Sequence, residues 1–182
     1  AGEVVVFIDG VEVASVDVEG GKVIVPVDDL AAGEHNVVVI YSGDDKYDTA
    51  TEETVLNVTK VDPTIDISVL GDDVTGGSEE VTIQLPEDAT NYVLVDVNGM
   101  QYFGELVNGK YSFFIDDLQA IKYEIDVTYV GDDKYNKGTS SYNFTVRKAT
   151  SHIEANLPGE AYVGDFVVVE VTVNPAAATG NY

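Results

Sequence analysis

The 182-residue chain has no cysteine and no tryptophan, and only nine basic residues against 33 acidic ones. Without cysteine there are no disulfides, no thiol catalysis and no zinc–thiolate centres. Stability must therefore come from packing, or from metals or covalent links of another kind. The shortage of lysine and arginine leaves a formal net charge of −24. Such a field repels nucleic acid and anionic membranes and keeps an extended surface protein soluble. No apolar run approaches the length of a membrane-spanning helix, so no membrane insertion is expected in this segment. Residues 1–7 lack the basic flank and long apolar stretch of a signal peptide, and none is expected there. What is present is a normal hydrophobic share of 45%, enough for a packed core and too much for a disordered chain.

The apolar residues alternate and do not recur at helical spacing. In Tyr123–Tyr129, Tyr123, Ile125, Val127 and Tyr129 share one side and Glu124, Asp126 and Thr128 the other. Internal repetition is equally plain. Tyr41-Ser42-Gly43-Asp44-Asp45-Lys46-Tyr47 matches Tyr129-Val130-Gly131-Asp132-Asp133-Lys134-Tyr135, with 88 residues between Asp44 and Asp132. The same offset pairs Asp29-Leu30 with Asp117-Leu118, Lys60 with Lys148, and Ile65 with Ile153. A period of this length is too long for a solenoid and fits a whole small β-sandwich.

Residues 61–147 read as one complete repeat of seven strands: Thr64–Leu70, Glu79–Leu85, Tyr92–Val97, Gln101–Val107, Tyr111–Ile115, Tyr123–Val130 and Ser141–Val146. Asn98-Gly99 and Asn108-Gly109 mark tight hairpins. Short strands with turn signals every 8–12 residues predict an all-β chain of tandem immunoglobulin-like sandwiches. By an offset of 88 to 89, residues 1–60 carry strands three to seven of one repeat, with Glu3–Asp9 matching Tyr92–Asn98, and residues 148–182 carry strands one and two of another. At the far end, Thr179-Gly180-Asn181-Tyr182 mirrors Thr90-Asn91-Tyr92. Two explanations fit these mid-repeat phases: a window in a longer covalent array, or separate copies that complete one another head to tail. In either case the partial repeats should expose apolar faces and unpaired strand edges.

Three segments together carry a family resemblance: Phe7-Ile8-Asp9-Gly10, then Asp29-Leu30-Ala31-Ala32-Gly33-Glu34-His35, then Tyr41-Ser42-Gly43-Asp44-Asp45-Lys46-Tyr47. The chain resembles the bacterial and archaeal Ig-like repeat family (group 3). Its acidic, cysteine-free form is similar to the adhesin-like surface proteins of methanogenic archaea. The resemblance implies tandem copies, an extracellular cell-surface location and a role in adhesion or filament structure, and it is nearly mute about ligands. One departure is Leu118-Gln119-Ala120-Ile121-Lys122-Tyr123, where the family pattern has glycine near Ile121. Tyr123 stands where His35 does, and both are expected inward at the corner of the sixth strand, in a tyrosine-corner-like role.

Catalysis has little to work with. The two imidazoles, His35 and His152, fall at the Tyr123 and Thr64 positions of the other repeat, so no enzyme is expected. Acidic pairs recur, and calcium takes six to eight oxygen ligands. Asp44, Asp45, Asp132 and Asp133 in the Gly-Asp-Asp-Lys loops are therefore the candidate metal ligands, although aspartate also favours turns for its own reasons. Asn57-Val58-Thr59 and Asn143-Phe144-Thr145 fit the N-glycan acceptor pattern. Both fall on the last strand of a repeat, two positions apart in register, so Asn57 and Asn143 should share the outward face. A lysine–asparagine isopeptide is disfavoured, because Lys46, Lys60, Lys134 and Lys148 sit in turns and linkers.

The function expected is a structural or adhesive stalk whose partners are other copies of itself or the rest of its own array. The alternative is a module that binds surface glycans or a receptor. Tyr92, Tyr102, Tyr111 and Tyr142 are the residues that would form its aromatic platform.

Overall fold

The computed structural model describes residues 2–175, so the match of Thr179–Tyr182 to Thr90–Tyr92 lies outside the described residues. Thirteen strands and no helix occur among them: β1 (Glu3–Ile8), β2 (Val11–Asp17), β3 (Gly33–Tyr41), β4 (Ala50–Val58), β5 (Asp66–Gly71), β6 (Glu79–Gln84), β7 (Tyr92–Val97), β8 (Met100–Glu105), β9 (Lys110–Ile115), β10 (Lys122–Tyr129), β11 (Gly138–Thr145), β12 (His152–Asn156) and β13 (Glu170–Asn174). The strands of the middle repeat order as β5-β6-β9 and β11-β10-β7-β8. That order, in which the chain alternates between a three-stranded and a four-stranded sheet, is an immunoglobulin-like Greek key. All seven predicted strands of this repeat form, with small shifts at their ends.

The first sheet, β2-β1-β3-β4, repeats the order β8-β7-β10-β11 strand for strand. Its β1–β2 hairpin turns at Asp9-Gly10 with φ of 51° and 80°, and the β7–β8 hairpin turns at Asn98-Gly99 with φ of 50° and 89°. Both are left-handed at two successive positions, the geometry that matches strand twist and favours Asp-Gly and Asn-Gly. Here the chain departs from the expectation of five strands in residues 1–60: four form. Residues 22–27, the sequence equivalents of β9, adopt no strand beyond an isolated bridge of Lys22 to Glu19. The physical reason lies in the pairing. In the middle repeat β9 is held by β6, and residues 1–60 contain no equivalent of β6.

The chain divides into two compact units. One comprises Ala1–Ser68, Thr82–Ser112 and Glu124–Tyr142. Its core lines one face of each strand: Ile83 from β6, Val93, Val95 and Val97 from β7, and Ile125, Val127 and Tyr129 from β10, all buried. The other comprises Val69–Val81, Phe113–Tyr123 and the chain from Asn143 onward. It buries Val81, Phe113, Ile115, Leu118, Tyr123 and Val146, and Tyr123 stacks on Phe144 at 5.1 Å between ring centres. Period-two burial in β6 and β10 is what their alternating sequences dictate.

Candidate interaction faces and loop sites

The Gly-Asp-Asp-Lys loops show how the acidic residues are used. Gly131 has φ of 87°, and a Cβ on it would come within 2.9 Å of the Lys137 amide nitrogen, so the loop requires glycine. Asp132 Oδ1 accepts the backbone N–H groups of Lys134 (2.9 Å) and Tyr135 (2.7 Å). Its Oδ2 accepts the N–H of Thr90 (2.8 Å) and the Thr90 hydroxyl (3.1 Å). Partial burial pushes the Asp132 carboxyl up, but these donors and the Tyr129 hydroxyl outweigh it and hold it well below the usual carboxylate range. The Tyr129 phenol is pushed up, first by burial and then by Asp132, and donates to the Thr90 carbonyl at 2.9 Å. Lys134 pairs with Asp88, whose other oxygen accepts the Tyr135 hydroxyl at 2.8 Å.

Asp44 repeats the first part of this pattern, accepting the N–H groups of Lys46 (2.8 Å) and Tyr47 (2.9 Å), which lower its pKa. Asp45 and Asp133 are exposed. The structure thus spends Asp44 and Asp132 on their own turns. Asp29, Asp73 and Asp117, the second members of three other acidic pairs, sit in the left-handed region with φ of 56°, 51° and 51°, which aspartate tolerates. Among the described residues no three His, Cys, Asp or Glu side chains converge as a metal-holding group.

The corner of the sixth strand carries the expected tyrosine and histidine, each tied to the backbone four residues upstream but with opposite hydrogen-bond polarity. The Tyr123 phenolic oxygen accepts the backbone N–H of Gln119 at 2.9 Å, four residues upstream. His35 Nε2 lies 2.8 Å from the carbonyl of Ala31, also four upstream, and Nδ1 lies 2.7 Å from Asp9 Oδ2. Both partners are acceptors, so the imidazolium satisfies the site best. The Ala31 carbonyl and then Asp9 accordingly raise the His35 pKa. Asp9 Oδ1 also accepts the Asn36 N–H, as Asn98 Oδ1 accepts that of Glu124, both at 2.8 Å. His152 Nε2 faces Glu154 Oε1 at 3.1 Å on the exposed surface of β12.

Asn57 and Asn143 are both exposed, on β4 and β11 respectively, each followed by an exposed threonine two residues on. Of the four candidate tyrosines, Tyr92 joins an outward aromatic pair and Tyr142 is exposed on β11. The partner of Tyr92 is Phe103, which the sequence reading overlooked, at 4.8 Å between ring centres, beside exposed Leu94. Tyr102 shares the other face of β8 with buried Gly104, and Tyr111 donates to the Phe103 carbonyl at 3.2 Å. Period-two counting from Tyr92 through its cross-strand neighbours would have found Phe103.

Glu79 was also overlooked. It is 1% exposed, its Oε1 accepts the Asp73 N–H at 2.7 Å, and its Oε2 is buried without a partner. A Cβ on Gly71 would fall 2.1 Å from that oxygen, so Gly71 makes room for the carboxylate.

Residues 1–60 and the β12–β13 hairpin leave apolar side chains uncovered. A groove of about 590 Å³ opens on the first sheet, lined by Val4, Val18, Val23, Val39, Tyr41 and Tyr47 among others. Tyr47 is 68% exposed, whereas its equivalent Tyr135 is 6% exposed. In the β12–β13 hairpin every residue is exposed, including Ile153, Val171 and Val173.

No family model matches the chain, and no curated protein is similar to it. Among solved structures it is similar to a bacterial ice-binding adhesin of 1.5 MDa (21% identity, TM-score 0.38, 85% of this chain and 57% of that one). It is also similar to the central fibronectin-III array of RIM-binding protein (15%, 0.34, 96% and 68%). A third likeness is to Parabacteroides merdae β-glucuronidase (11%, 0.34, 79% and 20%). The chain spans about a fifth of the glucuronidase and little more than half of the adhesin structure. The fold assignment rests on the strand order, not on these likenesses.

Proposed function

We propose that the chain is a structural or adhesive module of a cell-surface stalk or filament, built from end-to-end Ig-like repeats. The observation that carries this reading is the repetition, at 88 to 89 residues, of sheet order, hairpin, corner and acidic loop. Ionisable side chains brace the same places in both copies: Asp44 and Asp132 their acidic loops, and Asp9 the corner that Asn98 braces in the other. The repeats divide as 1–60, 61–147 and 148–182, with the split sandwich completed by a neighbouring copy or by the continuing chain. The net charge of −24 and the resemblance to group 3 Ig-like and adhesin-like surface proteins support an extracellular location. The exposed sequon asparagines Asn57 and Asn143 are its proposed glycan sites. Intact-mass analysis of native material showing no added glycan would remove that part.

Single-molecule extension of the chain tests the stalk. Unfolding of residues 61–147 should release one contour step of about 300 Å, the extended length of that stretch at ~3.5 Å per residue. A gradual rise without such a step would contradict it. A second reading, a glycan- or receptor-binding module, is favoured by the exposed Tyr92–Phe103 pair with Leu94. It requires binding to a glycan array that disappears in Phe103→Ala, a variant that leaves the core intact.

A further inference from the structure

The strand equivalences say what would cover the first sheet. β1 and β3 align with β7 and β10, so Val4, Val6 and Ile8 stand where Val93, Val95 and Val97 do, and Val37, Val39 and Tyr41 where Ile125, Val127 and Tyr129 do. Every residue of the second set is buried, at 4% exposure or less. In the first set Val4, Val37, Val39 and Tyr41 are only half-buried. The same holds along residues 22–30: Val25, Val27 and Leu30 stand where Phe113, Ile115 and Leu118 are buried, yet Val27 is 39% exposed. In the middle repeat the strand that holds β9 is β6, with Thr82 Oγ1 2.8 Å from Ser112 Oγ across the pair. β13 overlaps the sequence equivalent of β6, residues 167–172, and continues two residues beyond it. Its Val171 and Val173 stand at the positions of Ile83 and Leu85, which are 0% and 3% exposed. On β13 they are 56% and 42% exposed.

We infer that a second copy of this chain docks here, β13 of one copy pairing with residues 22–27 of the next. The three-stranded arrangement β12-β13-(22–27) then reproduces β5-β6-β9 and closes over the open face of β1 and β3. This rests on the repeat reading above and commits it to a partner and a register. Two apolar surfaces that the single chain leaves incompletely covered match one another position for position through the folded middle repeat, with Pro26 on what would be the outer edge strand, the place a sheet tolerates proline. Donation is heterologous: tail of one copy to head of the next. It therefore propagates instead of closing, and gives a linear fibre.

The register predicts a specific contact. Ile24 is the equivalent of Ser112 and Glu170 that of Thr82, so these two residues should oppose each other across copies, at the ~5 Å Cβ separation of directly paired strand positions. Both side chains are exposed in the single chain, so neither substitution touches a core. The absence of other cysteines makes the cross-link clean.

The experiment mixes the Ile24→Cys chain with the Glu170→Cys chain under mild oxidation and counts disulfide-linked heterodimer by mass spectrometry. Glu12→Cys with Glu170→Cys is the encounter control. Roughly tenfold more dimer in the first mixture than in the control is expected, the excess that docking provides over random encounter. Val171→Asp, at a position already exposed in the single chain, should abolish the excess and the larger species in light scattering. Cross-linking no faster than the control, or unchanged by Val171→Asp, overturns the docking. Hydrogen exchange on the same samples separates the two levels. Protected β6, β7 and β10 without cross-linking leave the repeat reading standing and reject the trans pairing. Unprotected strands there reject both.

Discussion

Asp132 offers the sharpest energetic test of the idea that the acidic loops brace the sandwich. Its carboxylate receives four donors: the N–H groups of Lys134 and Tyr135 and the N–H and hydroxyl of Thr90. Asp132→Ala removes all four acceptor contacts at once and frees the loop after β10 from the segment before β7. Net values near ~1 kcal/mol per bond, discounted because water reaches part of this half-exposed site, give a loss of about 2–3 kcal/mol. For a repeat of this size that corresponds to a fall in melting temperature of about 10–15 °C. Asp132→Asn should lose more than half as much, because its amide turns a donor toward the Thr90 N–H. Asp133→Ala, at the exposed neighbour, should stay within about 0.5 kcal/mol. The pH dependence has a definite sign. The folded carboxyl titrates below its unfolded value, so its contribution is present above about pH 4 and declines as pH falls further. The gap between wild type and Asp132→Ala, read by thermal and denaturant unfolding, should therefore narrow in acid. A loss below about 0.5 kcal/mol at neutral pH, or a gap that ignores acid, would refute the reasoning.

Other outcomes follow from the same geometry. Gly71→Ala forces a Cβ to within 2.1 Å of the buried Glu79 carboxylate and should cost ~2 kcal/mol by overpacking. Most of that cost should vanish in a Glu79→Ala background, and an undiminished penalty in the double-mutant cycle would disprove the contact. His35 should titrate above its ordinary value by NMR, because both ring nitrogens face acceptors. Its stabilisation is thus present at and below about pH 6.5 and is lost as pH rises through the raised folded pKa. Asp9→Asn, which places at the turn the residue found at Asn98, should lower that pKa, and an unshifted titration curve would contradict the ion pair. Because Asp44 and Asp132 are engaged by their own turns, chelator should leave the melting temperature where an ionic-strength control leaves it. A clear drop beyond that control would show a calcium site.

Much of this was legible in the sequence because it rests on local rules. Asp9-Gly10 and Asn98-Gly99 demand left-handed turns, and the alternation in Tyr123–Tyr129 fixes which residues face inward. Reading Tyr123 and His35 as one corner followed from register alone, and both do bond to the backbone four residues upstream. What escaped were features that depend on a partner distant in sequence. Lys22–Val27 has the alternation of β9, yet a strand also needs a neighbour to pair with, and alternation says nothing of whether one is present. Asp88 and Thr90 join the acidic loop only through the fold, more than 40 residues away. Glu79 shares the inward phase of Val81 and Ile83, a signal visible in the strand but overruled by its charge. Phe103 meets Tyr92 only across the β7–β8 pair, where it stands opposite Leu94.

Hydrogen exchange resolved by residue, on the full chain diluted to nanomolar concentration, tests most directly the claim of one closed sandwich flanked by two open parts. The account predicts slow exchange in β6, β7, β9 and β10, and rapid exchange in residues 22–27, β12 and β13. Equal protection of β13 and residues 22–27 in the isolated chain, or rapid exchange in β6 and β10, would contradict it.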